Sequence, residues 1–255
     1  MIIQADTMRL AVLSDIHSNI AALEAVAEAI DRLLPDEIIC LGDIVGYNAQ
    51  PAECVRFIQN LTPLVIAGNH DRDMISGMAL QGTNKAAHLV QDWTRQHLND
   101  EELDYLASLP SHCVQSEYVA VHGCYLNTTY VNGYVTSTML EENLHAICER
   151  ATWPRLAFCG HTHVPMCGWL EGTGCIEPRA PQSVRWPASA QVVLINPGSV
   201  GQPRDLDPRA SFALVDTQAH TLEIHRVAYD IDRTIEAIKQ AKLPVELGER
   251  LRIGR

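Results

Sequence analysis

Five short apolar runs in this sequence each stop abruptly on Asp, Asn or His. RLAVLS (9–14) runs into Asp15 and His17, and EIICLG (37–42) into Asp43. PLVIAG (63–68) runs into Asn69, His70 and Asp71, YVAV (118–121) into His122, and RLAFCG (155–160) into His161 and His163. Near-continuous apolar runs of this length, rich in β-branched residues, suit strands buried on both faces, and such strands need helices to cover them. The intervening segments supply helices. Residues 20–34 place Ala, Leu, Val and Ile at helical spacing, with Asn19 as N-cap and Pro35 as a stop. Pro51 suits the first turn of a second helix reaching about Asn60. The first seventy residues therefore read as three β–α units on a largely parallel sheet.

The pattern then changes. Residues 73–109 are helical and polar-rich with no strand among them, and are expected to form a helical cap insertion. A helix is expected over 136–150, and a hairpin excursion over 165–190, where Pro and Gly collect beside Trp169 and Trp186. Residues 192–200, 211–217 and 221–227 read as further strands, and 230–242 as an amphipathic helix with a charged tail expected to fray. No repeat or change of composition divides the chain, so 1–255 is expected to be a single domain.

Composition narrows the function. The eight cysteines form no CxxC pair and mostly sit in apolar runs, which fits reduced thiols in a cytoplasmic protein better than a metal or redox motif. No stretch approaches the roughly 18 uncharged apolar residues of a membrane span. A net charge of −12 argues against a protein that grips nucleic acid through a broad basic face.

In α/β sheets the carboxyl ends of strands are where sites form. Of the eleven histidines, His17, His70, His122, His161 and His163 stand at these ends, together with Asp15, Asp43 and Asn69. Imidazole, carboxylate and amide oxygen are the donors that hold borderline divalent cations. Helix caps and turns account readily for DxH (15–17) or GD (42–43) taken alone. GNHD (68–71) and GHTH (160–163) are more specific, and the ordered set DxH, GD, GNHD, VHG, GHTH is far more specific than any member.

From Arg9 to about Val227 this order resembles the calcineurin-like metallophosphoesterase superfamily. GDIVGY (42–47) and NPGSVGQPRD (196–205) are similar to its small prokaryotic phosphodiesterase and diadenosine-tetraphosphatase-related branch. The resemblance implies an α/β fold, a four-layer α/β/β/α sandwich with two mixed sheets, and two metal ions at the strand ends. By matching positions, Asp15, His17 and His163 hold one ion, Asn69, His122 and His161 the other, and Asp43 bridges them. Manganese is the first expectation for both ions, with iron, zinc, cobalt, nickel or magnesium as alternatives. Two such cations clamp the attacking and leaving oxygens of a phosphoryl transfer and ease deprotonation of a water between them. Against two carboxylates and that deprotonated water they leave the site net positive, even on an acidic protein. The implied activity is hydrolysis of a small phosphodiester or phosphoanhydride, with His70 as general acid. Dinucleoside polyphosphate hydrolysis, broad phosphomonoesterase action and a protein-interaction scaffold are the alternatives. The implied partner is a small phosphorylated substrate, without membrane or nucleic acid, and a homodimer is left open.

The protein-phosphatase branch carries Asp-Arg-Gly after its bridging Asp, where this chain has Gly46, Tyr47 and Asn48. The Arg that binds phosphate in that branch is therefore missing. Arg204 is the expected substitute, with Arg72 as a further candidate and Tyr47 as a pocket residue. Asp71 is expected either to orient His70 or to end its turn.

Overall fold

A computed structural model describes residues 8–76, 85–171, 174–179 and 183–255. Residues 77–84 of the expected cap, residues 172–173 and 180–182 of the expected hairpin, and the Cys175 side chain lie outside this description.

Among the described residues, eleven strands fall into two mixed sheets. They are β1 (Arg9–Leu13), β2 (Glu37–Cys40), β3 (His112–Val114), β4 (Tyr118–Val121), β5 (Leu156–Phe158), β6 (Met166–Glu171), β7 (Gly174–Arg179), β8 (Ser183–Arg185), β9 (Val192–Asn196), β10 (Ala210–Asp216) and β11 (Thr221–Val227). The first sheet runs β2-β1-β10-β11-β8 and the second β3-β4-β5-β9-β6-β7. Helices α1 (Ile20–Leu33) and α2 (Pro51–Leu61) cover the first sheet. They are followed by α3 (Asn69–Ser76), α4 (Lys85–Gln96) and α5 (Asp100–Ser108), then by α6 (Leu140–Cys148) on the second sheet and α7 (Ile231–Gln240).

The period-two alternation of strand side chains builds the layers. Ala11 and Leu13 of β1 pack with Leu23, Val26 and Ile30 of α1. Their neighbours Leu10 and Val12 face the other way, joining Tyr118, Phe158 and Ile195 in a core between the sheets. Val119, Val121 and Leu194 turn outward onto Leu140, Leu144 and Ile147 of α6. Helix, sheet, sheet and helix thus stack as the four expected layers, with helices over 85–108 inserted between the two sheets in the chain.

Two parallel alignments place the site. β1 and β2 are parallel (Leu10 opposite Glu37, Leu13 opposite Cys40), so both carboxyl ends leave the first sheet on one side. β4, β5 and β9 are likewise parallel, with Tyr118 opposite Leu156 and Leu156 opposite Val193.

The structure departs from the sequence reading in three respects. The apolar run 63–68 is no full strand but a single parallel bridge, Cys40 to Val65. Pro63 and the helix opening at Asn69 leave little room for a ladder, although Val65, Ile66 and Ala67 are buried. Within 165–190, β6 and β7 pair antiparallel as a hairpin requires, but the segment is no excursion: β6 also pairs with β9 inside the second sheet, and β8 joins the first. The charged tail does not fray. It forms the short α8 (Glu246–Glu249) and a 3-10 turn, buries Leu251, and accepts the Leu206 N–H on Gly254 O at 2.9 Å.

Candidate metal centre

The loops at the carboxyl ends of β1, β2, β4 and β5 converge with the first turn of α3. Ligand atoms of Asp15, His17 and His163 lie within 4.8 Å of one another, as do those of Asp43, His122 and His161, and those of His17, Asp43 and His70. His17 Nε2 stands 3.1 Å from His163 Nε2, and His163 Nε2 is 3.3 Å from Asp15 Oδ1. Asp43 Oδ2 reaches both clusters, at 3.5 Å from His17 Nε2 and 3.2 Å from His122 Nε2. His122 Nε2 and His161 Nδ1 are 3.2 Å apart. Donors about 2.1 Å from a shared cation lie about 3.0–3.4 Å apart, so these spacings match two adjoining coordination shells.

Hydrogen bonding explains why these atoms face inward. The Nδ1 atoms of His17, His122 and His163 lie 3.1, 2.9 and 2.6 Å from the carbonyl oxygens of Val45, Leu41 and Gln202. A carbonyl only accepts, so each Nδ1 carries the proton and, in the neutral ring, each Nε2 presents a bare lone pair. Two such lone pairs 3.1 Å apart repel unless a cation or proton stands between them. The carboxylates divide in the same way. Asp15 Oδ2 accepts the His161 N–H at 3.1 Å, and Asp43 Oδ1 accepts the His70 N–H at 2.9 Å. Asp15 Oδ1, Asp43 Oδ2 and Asn69 Oδ1 are buried and make no hydrogen bond among the described residues, the first two facing only imidazole nitrogens. Buried polar atoms are rarely left so. The three orphaned oxygens and the opposed imidazoles fit a pair of cations.

Electrostatics agree. Burial alone would raise the Asp15 carboxyl, but the neighbouring His163 outweighs it and holds the group below the usual carboxylate range. Burial opposes charge on His122, yet Asp43 beside it wins and pushes the imidazole up to about 9. A proton on that nitrogen would occupy the place of a cation, so uptake of an ion would release it. Burial, then the charge of His122, takes His161 down to about 4.

The backbone is strained here. Asp15, His17, Asp43, His161 and His163 all have φ between 48° and 67°. Non-glycine residues in this region cost roughly 1–3 kcal/mol each and collect at functional sites.

Asp71 does not orient His70. Its carboxylate accepts the N–H groups of Asp43 (2.8 Å), Ile44 (2.9 Å), Val45 (3.3 Å) and Gly68 (2.9 Å), pinning the Asp43 turn to the start of α3. Gly68 permits the approach, since a Cβ there would lie 2.1 Å from Asp43 Oδ1. Burial, then the charge of Asp43, pushes the Asp71 carboxyl up to about 7 against the pull of these donors. Asp71→Ala strands several buried N–H groups, at about 1–3 kcal/mol each. It should destabilise the fold by roughly 3 kcal/mol or more, lowering Tm by about 6–12 °C in a thermal melt.

His70 lies edge-on to His17, with ring centroids 5.0 Å apart, and its Nδ1 side rests on Gly46, where a Cβ would lie 2.7 Å away. Tyr47 packs against both rings, at 4.6 Å from His17 and 4.7 Å from His70. Arg204 lies over Tyr47 at 5.6 Å and donates to Gln202 Oε1 at 2.8 Å, while its Nε is buried without a partner among the described residues. A cavity of about 170 Å³ is lined by Asp43, Asn69, His70 and His161 on the ion side and by Tyr47 and Arg204 beside them. Arg72 points away, donating to Leu109 O at 2.5 Å. Sequence reading missed Tyr134, which borders the same cavity, because no motif marks the loop that holds it.

The Calcineurin-like phosphoesterase superfamily domain profile matches residues 8–220. The chain belongs to the calcineurin-like phosphoesterase superfamily. A metallophosphoesterase of Sphaerobacter thermophilus with a crystal structure is 35% identical, with a TM-score of 0.82 over 98% of this chain and 100% of that one. The uncharacterized protein MJ0912 of Methanocaldococcus jannaschii is 35% identical over 96% of this chain and 98% of its own. The hypothetical protein PH1004 of Pyrococcus horikoshii shares the fold at 23% identity, with a TM-score of 0.79 over 97% of this chain and 98% of that one. Membership of this phosphoesterase superfamily supports a hydrolase, and the His/Asp clusters of this chain are its candidate metal-binding groups.

Proposed function

We propose that this protein is a dinuclear metal-dependent phosphoesterase acting on a phosphodiester or phosphoanhydride of a small molecule. Asp15, His17 and His163 hold one ion, Asn69, His122 and His161 hold the second, and Asp43 bridges them. The observation that carries this reading is the set of orphaned oxygens and facing imidazole nitrogens, both buried. When bound, the cations supply Lewis acidity and a nucleophilic water at neutral pH.

The chain's own residues do the rest. His70, on the first turn of α3 and open to the cavity, delivers a proton to the departing oxygen. Arg204 offers a buried donor with no competing partner to a phosphoryl oxygen, held in place by Gln202 and the Tyr47 ring. Residues 73–109 act as a cap within a single domain, a reading supported by Met74, Val90 and Gln91 at the cavity wall. The seven described cysteines are free thiols, and no helix among the described residues is long and apolar enough to cross a membrane. Both fit a cytoplasmic enzyme.

Purified protein loaded with Mn²⁺ should hydrolyse bis-p-nitrophenyl phosphate, and prior chelation with EDTA should abolish turnover until metal is restored. Equal rates in chelated and loaded samples would refute metal dependence.

A further inference from the structure

Tyr134 sits in the loop between His122 and α6, with one ring face stacked on His161, centroids 4.2 Å apart and planes 17° from parallel. The residue is 48% exposed and is the one exposed Phe, Tyr or Trp among the described residues. Large aromatics gain from being covered, and this one is left open at the mouth of the candidate site. It borders the cavity together with Met74 of α3 and Val90 of α4, which add apolar wall beyond the ion-side donors. With one face on His161, Tyr134 stays about half exposed at the cavity, which leaves room for a second flat group. The alcohol of a phosphate ester bound in this cavity would meet this wall.

We propose that Tyr134 is a stacking platform for a planar ring carried by the substrate, so that this site prefers phosphate esters of aryl or nucleoside alcohols over those of aliphatic sugars. The inference rests on the phosphoesterase reading and adds the substrate class to it. Tyr134 touches the ring and not the reacting atoms, so it sets specificity. Stacking of a base on an aromatic side chain corresponds to an affinity gain of about fivefold or more.

The test is calorimetric binding of adenosine 5′-monophosphate, phenyl phosphate and ribose 5-phosphate to the Mn²⁺-loaded full chain, with His70→Ala to suppress turnover. At least one ring-bearing phosphate should bind about fivefold or more tightly than ribose 5-phosphate. A gain for adenosine 5′-monophosphate alone identifies nucleosides, and one for phenyl phosphate alone identifies aryl groups. Adding Tyr134→Phe should preserve the ratio, and adding Tyr134→Leu should bring it close to one. Tyr134→Met serves the same purpose if leucine disturbs the ions beneath. Ribose 5-phosphate binding as tightly as both ring-bearing ligands, or a ratio unchanged in the leucine or methionine variant, would overturn the stacking role and leave the phosphoesterase reading standing. Binding of none of the three phosphates would overturn the stacking role, whereas the phosphoesterase reading falls only if the bis-p-nitrophenyl phosphate assay fails.

Discussion

Asp43→Ala is expected to lose hydrolysis by about three orders of magnitude or more and to carry fewer than two ions per chain. Its Oδ2 is the one described oxygen within 3.5 Å of imidazole nitrogens of both clusters, so its removal opens both coordination shells together. Metal clamping of a phosphoryl group is worth several kcal/mol, and each 1.4 kcal/mol is about tenfold in rate. Folding should survive, because the substitution relieves the repulsion between Asp43 and the buried Asp71. Thermal melts separate these effects. A ligand at about 1,000 times its Kd stabilises by roughly 4 kcal/mol, so Mn²⁺ should raise the wild-type Tm by several degrees and leave the variant nearly unmoved. A variant that retains two ions by elemental analysis would contradict the bridging role.

His70→Ala should lower kcat by roughly 10²–10⁴, the usual contribution of a general acid, while both ions remain bound. Burial takes the His70 imidazole below its ordinary value, and the Asp43 charge draws it partly back. A general acid acts in its protonated form, so the wild-type rate should fall as pH rises through the His70 pKa, and the variant should lack that alkaline limb. Steady-state kinetics across pH checks this. Unchanged turnover in the variant would remove His70 from the mechanism.

The cluster was legible because each of its residues follows an apolar run, and parallel pairing of β1 with β2 and of β4 with β5 carries their ends to one side whatever the intervening loops do. The same logic failed for residues 63–68, where apolar content was read as a ladder although only Val65 forms a bridge. Local pattern carries no record of partners distant in the chain. Asp71 illustrates this: its neighbour His70 suggested an orienting role, but its donors come mainly from residues 43–45. Tyr134 was invisible for a related reason, since stacking on His161 joins positions from different loops. The tail read as frayed because its charges are local, while the contacts that order it, such as Leu206 with Gly254, are not.

The two groups of ring nitrogens and oxygens do not belong to one sheet. Asp15, His17 and Asp43 leave the first sheet, whereas His122, His161 and His163 leave the second. Each ion would therefore act as a rivet through both leaves of the sandwich at a single edge. Loss of such ions would then unfasten a seam as well as silence the proposed chemistry, and the helices over 85–108 beside that seam would be the first part of the molecule to loosen.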